Sequence, residues 1–88
     1  VRVFCLGEVR TPGALDFDSD DRITLLSAIA KAGGLTDRAA RGSIRIKRRG
    51  PDGKDAEIEA NYGRIVSGKD PDPTLKGDDV VVVKESFF

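Results

Sequence analysis

Residues 16–21 carry four aspartates and form the densest set of possible cation ligands in the chain. An EF-hand loop binds calcium through such oxygens, but it also needs a glycine at its sixth position and a bidentate glutamate at its twelfth. Counted from Asp16, those positions hold Asp21 and Ser27. The run therefore predicts no metal site. We expect a solvated loop whose negative charge favours the start of the helix that follows.

The sequence offers little for covalent catalysis. Cys5 is the single cysteine, and there is no histidine to act as its base. Cysteine in a core strand is usually a small, inert apolar residue, and one cysteine cannot form an internal disulfide. No pair of carboxylates is marked by its spacing for acid–base work. We expect a protein that is not an enzyme and that needs no cofactor.

Gly53-Lys54 has the ending of a phosphate-binding loop. That motif requires a glycine five residues before the second glycine, and serine or threonine after the lysine. Arg48 and Asp55 stand there instead. The segment Gly50-Pro51-Asp52-Gly53 is typical of a hairpin turn.

A basic segment, residues 38–49, contains six cationic side chains and no acidic one. They are Arg38, Arg41, Arg45, Lys47, Arg48 and Arg49. One interpretation is a polar strand face balanced by the acidic loop. The other is an anion or partner site, since guanidinium groups bind carboxylates and phosphates, and we place such ligand binding at Arg45, Lys47 and Arg48. We expect no nucleic acid partner, because aromatic side chains are not interleaved with these cations.

Composition limits the chain to one soluble globular domain. It has 88 residues with 39% hydrophobic and 34% charged side chains, and its net charge is +0. No stretch approaches the ~18 apolar residues of a membrane helix. The chain begins with valine instead of methionine, so we expect a single domain, residues 1–88, that belongs to a longer protein.

Alternation of side chains predicts a first strand over residues 1–9. Cys5 lies on its core face, whereas Phe4 and Leu6 lie on the opposite face. Two apolar residues exceed what a solvated face requires, so we expect another domain or subunit to cover them. Pro12-Gly13 predicts a corner, and residues 14–18 predict a second strand.

A helix is predicted between Thr24, a good N-cap residue, and the pair Gly33-Gly34, which can end a helix in the left-handed conformation. Further strands are predicted over 43–48, 57–59 and 80–83, with a short helical turn at 62–66. The run Val80–Val83 is typical of a strand buried on both faces.

The resulting order is β-β-α-β-β-short helix-β, which indicates an α+β fold. We predict a β-grasp (ubiquitin-like) mixed sheet packed on one main helix, plus a short second helical turn.

Four segments in this order resemble one family. They are Val3-x-Cys5-x-Gly7-Glu8-Val9-x-x-Pro12-Gly13, the helix with its double-glycine end over 24–36, Ile44-Arg45-Ile46-Lys47-Arg48, and Leu75-Lys76-Gly77-Asp78-Asp79-Val80. The chain is similar to the SLBB (soluble-ligand-binding β-grasp) domains of bacterial outer-membrane polysaccharide export proteins. The resemblance covers nearly the whole chain.

The resemblance implies a non-catalytic, periplasmic domain of a Gram-negative bacterium, within a parent protein associated with the outer membrane. The parent would be a homo-oligomeric ring that exports capsular or other polysaccharide and works with the inner-membrane export machinery. The domain would form part of the ring wall and contact the polysaccharide.

A head-to-tail contact that closes such a ring could pair the acidic loop of one subunit with the basic segment of the next. We place the subunit interface at Phe4, Leu6, Asp18, Asp20, Arg38 and Arg41. Two alternatives stay open: a soluble module that binds a glycan or another anion, and a general protein-interaction module that uses the face of Phe4 and Leu6.

Overall fold

The structure, a computed structural model that describes residues 1–86, consists of one five-stranded sheet and two helices. The elements are β1 (Arg2–Gly7), β2 (Gly13–Asp16), α1 (Leu25–Lys31), β3 (Ala39–Arg49), β4 (Asp55–Ala60), α2 (Tyr62–Val66) and β5 (Val80–Glu85). The predicted order of elements and the α+β class are confirmed, and the arrangement is compatible with a β-grasp fold. Residues 87 and 88 of the predicted domain lie outside the described residues.

The sheet has the order β2-β1-β5-β3-β4, so the last strand of the chain lies at its centre. β5 runs parallel to β1 and antiparallel to β3, and the two outer pairs are antiparallel. The sheet is therefore mixed. At its centre, β5 pairs with β1 and with β3, which are both distant from it in sequence.

The core lies on one face of this sheet. In adjacent strands, Cys5 is opposite Val81, and Val81 is opposite Ile46. These side chains are fully buried in one apolar cluster with Leu25 and Ile29 of α1. Period-two alternation thus assigns the core face as the sequence predicts.

The prediction that the valine strand is buried on both faces is wrong. Val81 and Val83 are buried, but Val80 and Val82 are only half-buried. The helices pack on the core face. Within residues 1–86 no element covers the other face of the sheet.

Both ends of α1 are fixed by their own side chains and glycines. Thr24 Oγ1 accepts a bond from Ser27 N at 3.2 Å, and Ser27 Oγ accepts one from Thr24 N at 2.8 Å, which forms a capping box. At the other end, Gly34 N donates to Ile29 O at 2.9 Å, with Gly33 at φ 87°. This is a Schellman ending, and both predicted caps are confirmed.

The carboxylate that bonds to the start of α1 comes from outside the acidic loop. The first turn contains no acidic residue, and Leu26 N instead donates to Asp72 Oδ1 at 3.1 Å. The loop bonds to itself, with Asp18 N donating to Asp21 Oδ2 at 3.1 Å. A carboxylate from a distant segment, and not one from the loop, thus bonds to the first turn of α1.

Several predicted strand boundaries are shifted. β2 ends at Asp16 and not at residue 18, although Leu15 is buried and Phe17 still packs against the core. Val1 lies outside β1 and is 50% exposed, in contrast to its predicted place on the core face. Gly7 ends β1 at φ 89°, so the alternation does not continue as one straight strand to Val9.

The buried thiol of Cys5 predicts a loss of stability in alkali. Burial raises the pKa of Cys5 to about 11, whereas an unfolded thiol ionises near pH ~8.5. The folded state thus holds its proton more tightly. The resulting stabilisation is complete below pH ~8.5 and is lost as the pH rises through about 11.

Between about pH 7.5 and pH 10.5, we expect the free energy of unfolding to fall by about 2 kcal/mol more in the unsubstituted domain than in Cys5→Ala. Urea unfolding of both chains at the two pH values measures this difference. The variant itself lacks the buried sulfur and starts from a lower stability, so only the change with pH is compared. Equal losses in the two chains would contradict the prediction.

Candidate functional site

The uncovered face of the sheet, here called the open face, carries side chains in ordered rows. In one row, Phe4 is opposite Val80, Val80 is opposite Lys47, and Lys47 is opposite Glu57. The next row repeats this order with Leu6, Val82, Arg45 and Glu59. The open face therefore has an apolar strip at its centre, then a basic row, then an acidic row at the β4 edge.

A groove of about 850 Å³ crosses one end of this face. Its apolar lining comes from Leu6, Val80 and Val82 of the central strip. Its charged lining is mixed in sign and includes Lys47, Arg49, Asp55 and Asp78. The groove brings together β1, β5, the end of β3, the start of β4 and the turn before β5, so it exists only when these strands are assembled.

Arg48 also lines the groove but is held by a buried carboxylate. Asp79 is 1% exposed, and Arg48 contacts it through Nε to Oδ1 at 3.1 Å and Nη2 to Oδ2 at 2.8 Å. Arg48 Nη2 also donates to Thr74 O, and Lys76 N donates to Asp79 Oδ2. The hydrogen bond to Asp79 raises the pKa of Arg48 above its ordinary value. Arg48 thus fixes the turn that leads into β5.

The three residues predicted to bind a ligand do not share one face. Arg48 has the parity of the buried Ile44 and Ile46, whereas Arg45 and Lys47 lie on the open face. Period-two alternation requires this separation. The sequence already indicates this separation, because Arg48 is an even number of residues, four, from the buried Ile44.

Arg45 and Lys47 differ in their partners. Arg45 Nη1 lies 2.6 Å from Glu57 Oε1 in an ion pair that is partly exposed on both sides. Neither Lys47 nor Arg49 has an ion-pair partner within residues 1–86. Lys47, exposed beside the apolar strip, is therefore the predicted ligand-binding residue that is available for a ligand.

Within residues 1–86 the acidic loop forms no ion pair with the basic segment. Arg45 pairs with Glu57, and Arg48 pairs with Asp79. Arg38 lies 3.8 Å from Glu85, and Arg41 stacks over the ring of Tyr62. These partners come from strands or helices adjacent in space, which the sequence does not reveal. The basic segment is thus balanced in part, and by residues other than the acidic loop.

The residues predicted for the subunit interface fall into separate places. Phe4 is half-buried and Leu6 is 44% exposed, both on the open face. Asp18 and Asp20 are exposed in the loop after β2, while Arg38 and Arg41 are exposed at the start of β3. Of these six residues, only Leu6 lines the groove.

One member of the acidic run is used inside the sheet. Asp16 is opposite Arg2, and Arg2 Nε lies 2.9 Å from Asp16 Oδ1. The hydrogen bond from Arg2 lowers the pKa of Asp16. This pair lies at the β2 edge of the open face, whereas the acidic row lies at the β4 edge.

Fold and groove together describe a small module with a preformed, chemically mixed concave surface on one face of its sheet. The family model described as the SLBB domain matches residues 2–59, which is more than half of the chain. The chain belongs to the SLBB family, a family of soluble-ligand-binding β-grasp modules. The matched residues run from β1 to Glu59 in β4, so β5 and its share of the groove lie outside them.

Comparison with curated proteins gave no match. In the part of the chain that is described, no helix has both the length and the apolar character needed to cross a membrane.

Proposed function

We propose that the chain is a non-catalytic SLBB domain of a polysaccharide export protein and that it contacts the glycan in the groove at Lys47. The observation that supports this most is the groove itself, in which Leu6 and Val82 lie beside an exposed Lys47. Sugar rings present apolar C–H faces and polar edges. A shallow concave surface of mixed character suits both kinds of contact.

Two cations of the groove, Lys47 and Arg49, offer a contact for an acidic sugar, although Asp55 and Asp78 balance the charge of the lining as a whole. Lys47 and Arg49 have no ion-pair partner within residues 1–86, so a carboxylate on the ligand would find two cations that are not already engaged. A hydrogen bond between two charged groups is about twice as strong as a neutral one. The hydroxyls of the same sugar can reach Asp55 and Asp78 in the lining.

The proposal extends to the parent protein. We infer a β-grasp domain in which α1 is the main helix, located in the periplasm and part of a homo-oligomeric ring associated with the outer membrane. The ring would pass polysaccharide received from the inner-membrane export machinery. The half-buried Phe4, which lies on the open face and does not line the groove, supports a neighbouring domain or subunit beside the groove.

Substitution of Lys47 tests the glycan contact. We expect Lys47→Glu to weaken binding of a uronic-acid tetrasaccharide by about tenfold or more, because it replaces an attraction by a repulsion. Titration of the ¹⁵N-labelled domain, followed by amide NMR shifts, measures this. The unsubstituted domain should show saturable shifts at residues of β1, β3 and β5 around the groove.

Lys69→Glu is the matched control, since Lys69 is exposed after α2 and does not line the groove. It should leave the affinity within about twofold, and a neutral tetrasaccharide should bind more weakly than the acidic one. In the full-length parent, Lys47→Glu should lower polymer export while the ring mass stays unchanged by native mass spectrometry. Absence of any glycan-dependent shift in the domain would contradict the proposed contact.

A further inference from the structure

β4 leaves one whole edge of the sheet unpaired. It is the last strand in the order β2-β1-β5-β3-β4, and within residues 1–86 no strand pairs with its outer side. The opposite edge, β2, has 4 residues, whereas β4 has 6. A strand edge exposes backbone N–H and C=O groups that a further extended segment can bind. β4 is thus the longer of the two available edges.

The side chains of β4 alternate strictly in character. Asp55, Glu57 and Glu59 lie on the open face, while Ala56, Ile58 and Ala60 lie on the core face. Opposite charges that face each other across two strands stabilise their pairing, and like charges destabilise it. The edge therefore favours an incoming strand with basic residues on one side and small apolar residues on the other. It disfavours pairing with a second copy of β4.

A second pocket lies where β4 ends. It has a volume of about 420 Å³ and is separate from the groove at Lys47. Its apolar walls come from Ala60, Ile65, Pro71 and Pro73, and its lining also contains the carboxylates of Glu59 and Asp70.

Such a pocket matches a lysine or arginine side chain, whose aliphatic stem packs on apolar walls while its charged end stays near carboxylates. Asp70 binds Arg64 through Oδ2 at 3.0 Å, and Glu59 accepts only a long bond of 3.5 Å from Ser43. Glu59 is exposed and belongs to both the edge and the pocket. The edge and the pocket thus meet at Glu59, which has no ion-pair partner within residues 1–86.

We propose that this surface, the β4 edge with the pocket at its end, binds an extended segment of a partner protein in which basic residues alternate with small apolar ones. The segment adds a sixth strand beside β4, and its basic residues face Asp55, Glu57 and Glu59. One basic side chain occupies the pocket beyond Ala60. The site shares Asp55 with the groove at Lys47 but otherwise uses different residues, and it does not depend on glycan binding.

The test uses the ¹⁵N-labelled chain and three synthetic ten-residue peptides. One alternates lysine and valine, one has the same composition in two blocks, and one alternates glutamate and valine. The alternating basic peptide should shift the amides of 55–60 and of the pocket residues. It should bind at least about tenfold more tightly than either control peptide.

Two charge-reversal variants locate the contact. Glu59→Lys should weaken binding of the alternating basic peptide by about tenfold or more. Asp20→Lys makes the same change in net charge in an exposed loop remote from β4 and should alter binding by less than about twofold. Both residues are exposed, so both variants should fold, which the dispersion of their NMR spectra checks.

Several outcomes would overturn the proposal. Equal binding of the block peptide would mean attraction by charge alone, without strand addition. Equal effects of Glu59→Lys and Asp20→Lys would remove the contact from β4, and so would shifts confined to the groove at Lys47. Shifts of residues 55–60 on concentrating the chain without peptide would identify a second copy as the occupant. Absence of any shift with the alternating basic peptide would exclude the site.

Discussion

Replacing Gly7 by alanine is expected to lower the free energy of unfolding by about 3 kcal/mol or more. A Cβ at this position would lie 2.0 Å from the carbonyl oxygen of Val83, which is a backbone atom of the central strand. The same oxygen accepts a hydrogen bond from Glu8 N at 2.9 Å, so it cannot move without separating β1 from β5. Urea unfolding followed by circular dichroism measures the loss.

Gly53→Ala separates this clash from backbone strain. Gly53 has φ 80°, close to the 89° of Gly7, but a Cβ there would meet no atom within 4 Å. The control should therefore lose only the about 1–2 kcal/mol of a left-handed alanine. If the two variants lost equal stability, backbone strain alone would explain both losses. The clash of the added Cβ with Val83 O would then contribute nothing to the loss in Gly7→Ala.

Asp79→Ala is the second substitution with a large expected effect, a loss of about 3–5 kcal/mol. It removes the bidentate partner of Arg48 and the acceptor of Lys76 N, and it leaves the guanidinium uncompensated in a partly buried place. Because the pair joins β3 to the turn before β5, amide exchange should accelerate in β5 most. Denaturant unfolding and hydrogen exchange together check this prediction.

Two comparisons control for a general effect of losing an ion pair. Asp16→Ala breaks the exposed pair with Arg2 and should change stability little, since surface pairs contribute little. The double variant Asp79→Ala/Arg48→Met removes the uncompensated charge and should recover part of the loss. A double variant as unstable as the single one would show that the bond to Lys76 N, and not the charge pair, holds the turn.

Local chemistry made much of this fold predictable. Thr24 and the Gly33-Gly34 pair act within one or two turns of α1, so their capping roles could be recognised from the sequence alone. The alternation of Ile44 and Ile46 likewise fixed the core face of β3, because each strand side chain reports its own face. These features depend on neighbours a few residues away.

The rest depends on contacts between distant segments. Asp79 approaches Arg48, and Asp72 approaches the start of α1, only because the strands assemble in a non-sequential order. The half-burial of Val80 and Val82 depends on which face of the sheet the helices cover. The groove at Lys47 combines residues of four strands and could be anticipated only in part, through Lys47 itself.

The parallel pairing of β1 with β5 has a mechanical consequence. These strands lie side by side at the centre of the sheet and run in the same direction, with Phe4 opposite Val80 and Gly7 opposite Val83. A force that pulls the start of β1 away from the end of β5 slides one strand along the other. It loads all their hydrogen bonds together and does not peel them one at a time. If force is applied at the two ends of the domain within a longer chain, the hydrogen bonds between β1 and β5 would therefore resist unfolding together. If force instead pulled apart the two free ends of the β3–β4 hairpin, its hydrogen bonds would break one after another at a much lower force.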